Sequence, residues 1–212
     1  MSATRYHKEF DPAGAGFFFP GGLFTYGNDY RDDGMGAAQP TAREASLLMG
    51  ATMAVSMIGI FVGIFFLFIN IDIAVRIAAA ILVGVVGIIS FFRHSVYFHS
   101  DQIRMGWRQD HPEFQIEVGY ANLALGIWAL VAAALDWGAL ACGMVLAIYA
   151  TYLLCALFLH LFEVHAWEDL HIPAHRMRAI RSVLSTGFFV LVLFGFGVVA
   201  FGRAGVLPFV HL

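Results

Sequence analysis

Five apolar runs, each about as long as a bilayer is thick, decide what this chain can fold into. Residues 46–69 carry no charge at all. Residues 72–92 are apolar beyond Arg76, residues 118–135 are apolar, residues 138–162 follow after only Asp136 and Trp137, and residues 183–201 form the last run. A hydrocarbon core of about 30 Å takes roughly 20 residues of helix to cross. Inside it every backbone polar group needs a partner within its own segment, which selects helices over strands. The expected fold is therefore all-α, a polytopic transmembrane helix bundle of about five spans within residues 45–212.

Composition agrees with this. Hydrophobic residues make up 60% of the chain and charged residues 13%, about half the ~25% charged share of a soluble domain. That leaves too little polar surface for a water-facing globule, and the bilayer is the first partner. A net charge of −3 offers no basic field for nucleic acid. Cys142 and Cys155 lie within one run, about 20 Å apart along a helix and out of disulfide reach.

Residues 1–44 read as a non-spanning arm. It holds Pro12, Pro20, Pro40 and an unusual number of aromatics, among them Phe10, Phe17, Phe18, Phe19 and Phe24. Disordered tails are poor in aromatics, so the arm is expected to rest on its own bundle, a partner subunit or lipid headgroups. The spans join through two tight hairpins, at Asn70–Asp72 and at Asp136–Trp137, where Asp72 and Asp136 suit helix N-caps. Five crossings put Arg5, Lys8, Arg31, Arg43, Arg93, Arg104, Arg108, Arg176, Arg178 and Arg181 on one face, against Arg76 and Arg203 on the other. That asymmetry predicts a cytoplasmic N-terminus. Gly59 and Gly63 form a G-x-x-x-G that could bring helices together, within the chain or in a homo-oligomer.

Polar chemistry collects near the Lys/Arg-rich face. His94, His99 and His111 follow the second run, and His160, His165, His171 and His175 follow the fourth. Counting about twenty residues along each span brings His94, His160 and Glu117 to one level of the membrane. Asp110, Pro112 and Glu113 resemble a capping box at the start of the third helix. Gln115 and Asn122 fall on a neighbouring face of that helix. On a helical continuation of the fourth run, His160 and Glu163 share a stripe at i, i+3 spacing, with His165 and Asp169 on another side. Imidazole and carboxylate at that spacing suit a transition metal: iron, zinc, manganese or copper. The candidate ligands are His94, His99, Glu117, His160, Glu163 and His165. A haem between His94 and His160 is disfavoured because His94 borders Arg93 and polar residues. The same groups also suit interfacial pairing with arginines or proton handling.

The stretch Gly106-Trp107, then Phe114-Gln115-Ile116-Glu117-Val118-Gly119-Tyr120-Ala121-Asn122-Leu123, resembles a family of small multi-pass bacterial membrane proteins of unassigned function. The resemblance covers roughly residues 90–165. It implies a helical domain of the bacterial inner membrane in which Gln115, Glu117 and Asn122 matter, and it supplies no reaction. Two functions follow from the sequence. One is a membrane protein with a His/Glu metal or cofactor site at the cytoplasmic interface, of a kind that would suit redox chemistry. The other is a non-catalytic accessory subunit docked to a membrane-protein partner through the arm. A transporter ranks lower, because neither broken helices nor internal repeats are visible.

Overall fold

The computed structural model describes residues 41–105, 112–166 and 173–207, all within the unit Gln39–Leu212. The arm, up to position 40, lies outside the described residues. Each described element is a helix: α1 (Arg43–Leu67), α2 (Ile71–Val96), α3 (Phe98–Met105), α4 (Glu113–Ala134), α5 (Gly138–Ala166) and α6 (Pro173–Arg203). Five helices are long and apolar enough to cross a bilayer: α1, α2, α4, the Gly138–Leu159 part of α5 and the Val183–Arg203 part of α6.

The helices outrun the apolar runs. The third begins at Glu113 rather than near 118, the fourth continues to Ala166, and the last starts at Pro173, ten residues before its apolar run. Bilayer thickness limits apolar length, not helix length. A polar extension into water or headgroups keeps its own backbone hydrogen bonds and carries no desolvation cost. Pro112 occupies the N-cap of α4 with no side-chain cap, and Asp110 of the expected capping box lies outside the described residues.

Central α2 has 56% of its apolar span buried, against 17% for α1. Its Val75, Ala78, Ala79, Leu82, Val83 and Val86 meet Ala129 and Ala132 of α4, Leu146 and Tyr149 of α5, and Leu193 and Phe196 of α6. Lipid is as apolar as these side chains, so close packing rather than release of water must hold the helices together. Glycine allows it where α2 crosses α4. A Cβ on Gly87 would stand 2.7 Å from the Asn122 carbonyl oxygen, and one on Gly126 would stand 2.9 Å from the Gly84 carbonyl oxygen. Gly59 and Gly63 are buried within the chain's own bundle, against Leu82 and Phe196.

The hairpin end corrects the expected caps. Asn70, not Asp72, caps α2, its Oδ1 accepting from the Ile73 N–H at 3.1 Å. Asp72 instead receives Arg203, at 2.8 Å from Nη2 and 3.0 Å from Nε. Asp136 has a left-handed backbone, φ 53°, and pairs with Arg76 at 3.0 Å. Asn70 immediately precedes the first helical residue, Ile71, whereas Asp72 is already the second residue of the helix, and the two aspartates neutralise the two arginines of this face.

Candidate functional site

At the opposite end, four segments meet: the first turns of α1, the last turns of α2, the short α3, and the start of α4. The chain turns sharply after Val96, and α3 folds back over the end of α2. Ser100 fixes α3 to α1. Its hydroxyl accepts from the Ala45 N–H at 3.0 Å and donates to Glu44 Oε2 at 3.3 Å. A donor of the first turn of α1, which has no partner inside its own helix, is thereby capped from another element.

Asp101 is the centre, with none of its surface exposed. Gln115 of α4 donates Nε2–H to Oδ2 at 2.9 Å, and Arg104 donates Nε–H to Oδ1 at 3.1 Å. His94 Nδ1 lies 3.0 Å from Oδ2, and Arg93 Nε lies 3.8 Å from Oδ1. The His94 contact is close but off the line of a ring N–H, so it is a dipolar approach of the ring to the carboxylate rather than an aligned hydrogen bond. Burial alone would push the Asp101 carboxyl up. Its contact with His94 and the charges of Arg93 and Arg104 outweigh that and hold it below the ordinary value of 3.8.

Arg93 sets the state of His94. Its Nη1 donates to Met49 Sδ at 2.8 Å, and its Nη2 lies 2.6 Å from His94 Nε2. A guanidinium has only donors. Nε2 must therefore be the acceptor, and the ring proton sits on Nδ1, on the Asp101 side. Arg93 and His94 belong to a π-helical turn, Phe92–Val96. Such turns are rare and gather at functional sites.

A second polar group lies deeper. Asn122 is nine residues into α4, about 14 Å from its start, well inside a 30 Å core. Its Nδ2 donates to the Val118 carbonyl at 2.7 Å and meets the Tyr152 hydroxyl at 3.2 Å, while the Tyr149 hydroxyl donates to Oδ1 at 3.1 Å. Buried Ser90 also faces the Tyr149 hydroxyl, and the Arg93 charge reaches both tyrosines. Polar groups thus continue from Asp101 through His94 and Arg93 to the middle of the bundle.

Residues 47–194 match the family of unknown function DUF6790. The chain belongs to this family. No curated protein matches the chain, and no solved structure does. The DUF6790 segment takes in Arg93, His94, Asp101, Gln115, Asn122, Tyr149 and Tyr152.

Within that segment the expected ligands separate. His94 is committed to Arg93 and Asp101. His99 is exposed, its ring 3.9 Å from that of Phe98. Glu117 is exposed, whereas Gln115 and Asn122 of the same helix are buried. The backbones of His160, Glu163 and His165 are helical, and their side chains lie outside the described residues. Among the described residues no three His, Cys, Asp or Glu side chains gather as metal ligands. The sequence drew attention to Arg104 only through the Lys/Arg asymmetry and to arginines as interfacial partners, and not to Asp101 or the two tyrosines. Asp101 and Arg104 sit at i, i+3, and the helical spacing of Phe98, Asp101, Gln102 and Met105 was the available signal.

Proposed function

We propose that this DUF6790 protein is a proton-binding membrane protein whose acceptor is His94, paired with Asp101 and gated by Arg93. The observation that carries the reading is the position of His94, a neutral imidazole clamped at 2.6 Å by a permanent cation and at 3.0 Å by a buried carboxylate. An incoming proton bonds to Nε2, the atom now facing Arg93. Arg93 then withdraws, because two donors cannot face each other at that distance. The new imidazolium keeps Asp101 as its counter-ion. Ionisable groups at membrane depth are costly and are by default functional.

The binding is one-sided. Among the described residues the polar series ends at Asn122. The next layer is Leu82, Val83, Ala129 and Leu146, all with no exposed surface. Binding and release at the Asp101 end, rather than steady conduction across the bundle, fits that layering. The Lys/Arg bias supports assigning this end to the cytoplasm, and the sequence resemblance supports a bacterial inner membrane.

The metal reading, an iron, zinc, manganese or copper site drawn from His94, His99, Glu117, His160, Glu163 and His165, rests on the sequence clustering. The accessory-subunit reading rests on the aromatic arm. Titration of the purified protein in nanodiscs with an indicator dye, with metal analysis on the same sample, tests the proton reading against the metal one. On acidification, wild type is expected to take up one proton per chain more than His94→Gln, which keeps the other eight of the nine histidines, reversibly and with no stoichiometric metal. Uptake unchanged in His94→Gln overturns it. Stoichiometric metal lost in His160→Ala would restore the metal reading.

A further inference from the structure

Among the described residues, four buried side-chain atoms have no hydrogen-bond partner: Arg93 Nε, His94 Nδ1, Gln102 Oε1 and Gln115 Oε1. They belong to side chains that contact Asp101 or, for Gln102, follow it in the chain. Gln102 and Gln115 are 2% and 4% exposed. The amide of Gln115 cannot be turned round to find a partner, because its NH2 already donates to Asp101 Oδ2 at 2.9 Å. Its oxygen therefore points away from the carboxylate, bare. The other edge of Arg93 is spent on Met49 and His94, which leaves Nε–H as a free donor. Buried polar groups in folded proteins are almost always satisfied, and where the protein does not do it, bound water does.

We propose that this centre holds internal water, donating to the carbonyl oxygen of Gln115 and accepting from Arg93 Nε. The chemistry of the bare atoms selects the ligand. The bare Gln115 oxygen and the Asp101 carboxylate repel an anion. The guanidinium groups of Arg93 and Arg104, gathered on the same carboxylate, repel a metal cation. A small neutral group able both to donate and to accept is left, and water is that group. Given the proton-binding reading above, this water is also the route by which a proton reaches His94 behind the Arg93 guanidinium.

The test is a high-resolution electron-microscopy map of the protein in nanodiscs, for wild type, Gln115→Leu and His94→Gln. The expected result is a single-atom peak within hydrogen-bond distance of Gln115 Oε1 and Arg93 Nε in wild type. That peak is absent in Gln115→Leu and kept in His94→Gln. Infrared spectra in H2(18)O provide a second readout, with an isotope-shifted band of buried water expected in wild type and reduced at least twofold in Gln115→Leu. The proposal is overturned if the wild-type map shows the Gln115 amide oxygen bonded to a protein donor, or density too large for water, or no peak together with no shifted band. A water peak in a protein that takes up no proton would sink the proton reading and leave this one standing.

Discussion

Arg93 and His94, neighbours in sequence, face each other with Nη2 and Nε2 2.6 Å apart, so a permanent cation occupies the one ring nitrogen that an incoming proton would need. Adjacent residues on a regular α-helix point about 100° apart. The π-helical turn at Phe92–Val96 holds this pair. Replacing the guanidinium with a neutral amide opens the gate. Measured as the difference from His94→Gln, which lacks this site, Arg93→Gln is expected to take up the proton more readily than wild type, at higher pH in the dye titration. An Arg93→Gln curve that overlays wild type counts against gating.

Asp101, itself without exposed surface, compensates two arginines. Asp101→Ala leaves Arg93 and Arg104 without a counter-ion, and breaking a buried pair from one side costs about 3–5 kcal/mol. Arg104 keeps 23% of its side-chain surface exposed, which places the expected loss at the lower end. Thermal unfolding in detergent, wild type against variant, measures it.

The same carboxyl gives a pH dependence with a definite sign. Its folded-state value lies below the ordinary 3.8. The stability it supplies is therefore complete above 3.8 and drains away as the pH falls through the lower folded value. The groups around it are His94 and Arg93 from α2, Arg104 from α3 itself, Gln115 from α4, and Glu44 from α1 through Ser100. In a His94→Gln background, which removes the coupled imidazole, the gap in thermal midpoint with and without Asp101→Asn should be constant near neutrality and shrink only in strong acid. In that background, a gap that widens on acidification contradicts the assignment.

Close approach of α2 and α4 predicts a steric effect with its own control. Gly126→Ala puts a Cβ 2.9 Å from the Gly84 carbonyl oxygen, whereas Gly50→Ala meets nothing within 4 Å. Overpacking of this kind costs about 1–3 kcal/mol, so Gly126→Ala should lower the thermal midpoint and Gly50→Ala should not.

Asn122 and Tyr149 form a hydrogen bond of 3.1 Å between α4 and α5. Interhelical bonds in membranes couple by about 0.6 kcal/mol on average and up to about 2. A double-mutant cycle of Asn122→Leu and Tyr149→Phe should return a value in that range, and a coupling of zero would show the pair to be independent.

The spans were legible because bilayer thickness sets a length that the apolar runs of this chain display directly. Gln115 and Asn122 were legible as a face of one helix, seven residues apart, and both are buried. Asp101 was not. It lies in an eight-residue helix, Phe98–Met105, too short and polar to stand out from a connection, and only tertiary partners from α2 and α4 make its burial affordable. Asp72 and Asp136 looked like caps because local spacing says nothing of Arg203, 131 residues away from Asp72. Glu117 and His94 reach the same end of the bundle, yet rotation about each helix axis exposes one and buries the other, and that rotation has no signature in spacing.

The most direct test is the nitrogen NMR spectrum of the His94 imidazole in nanodiscs, followed from neutral to acidic pH and assigned by His94→Gln. The account predicts a neutral ring protonated on Nδ1 near neutrality, converting on acidification to imidazolium as the Arg93 contact is lost. A ring protonated on Nε2, or one that stays neutral wherever the protein remains folded, would contradict it.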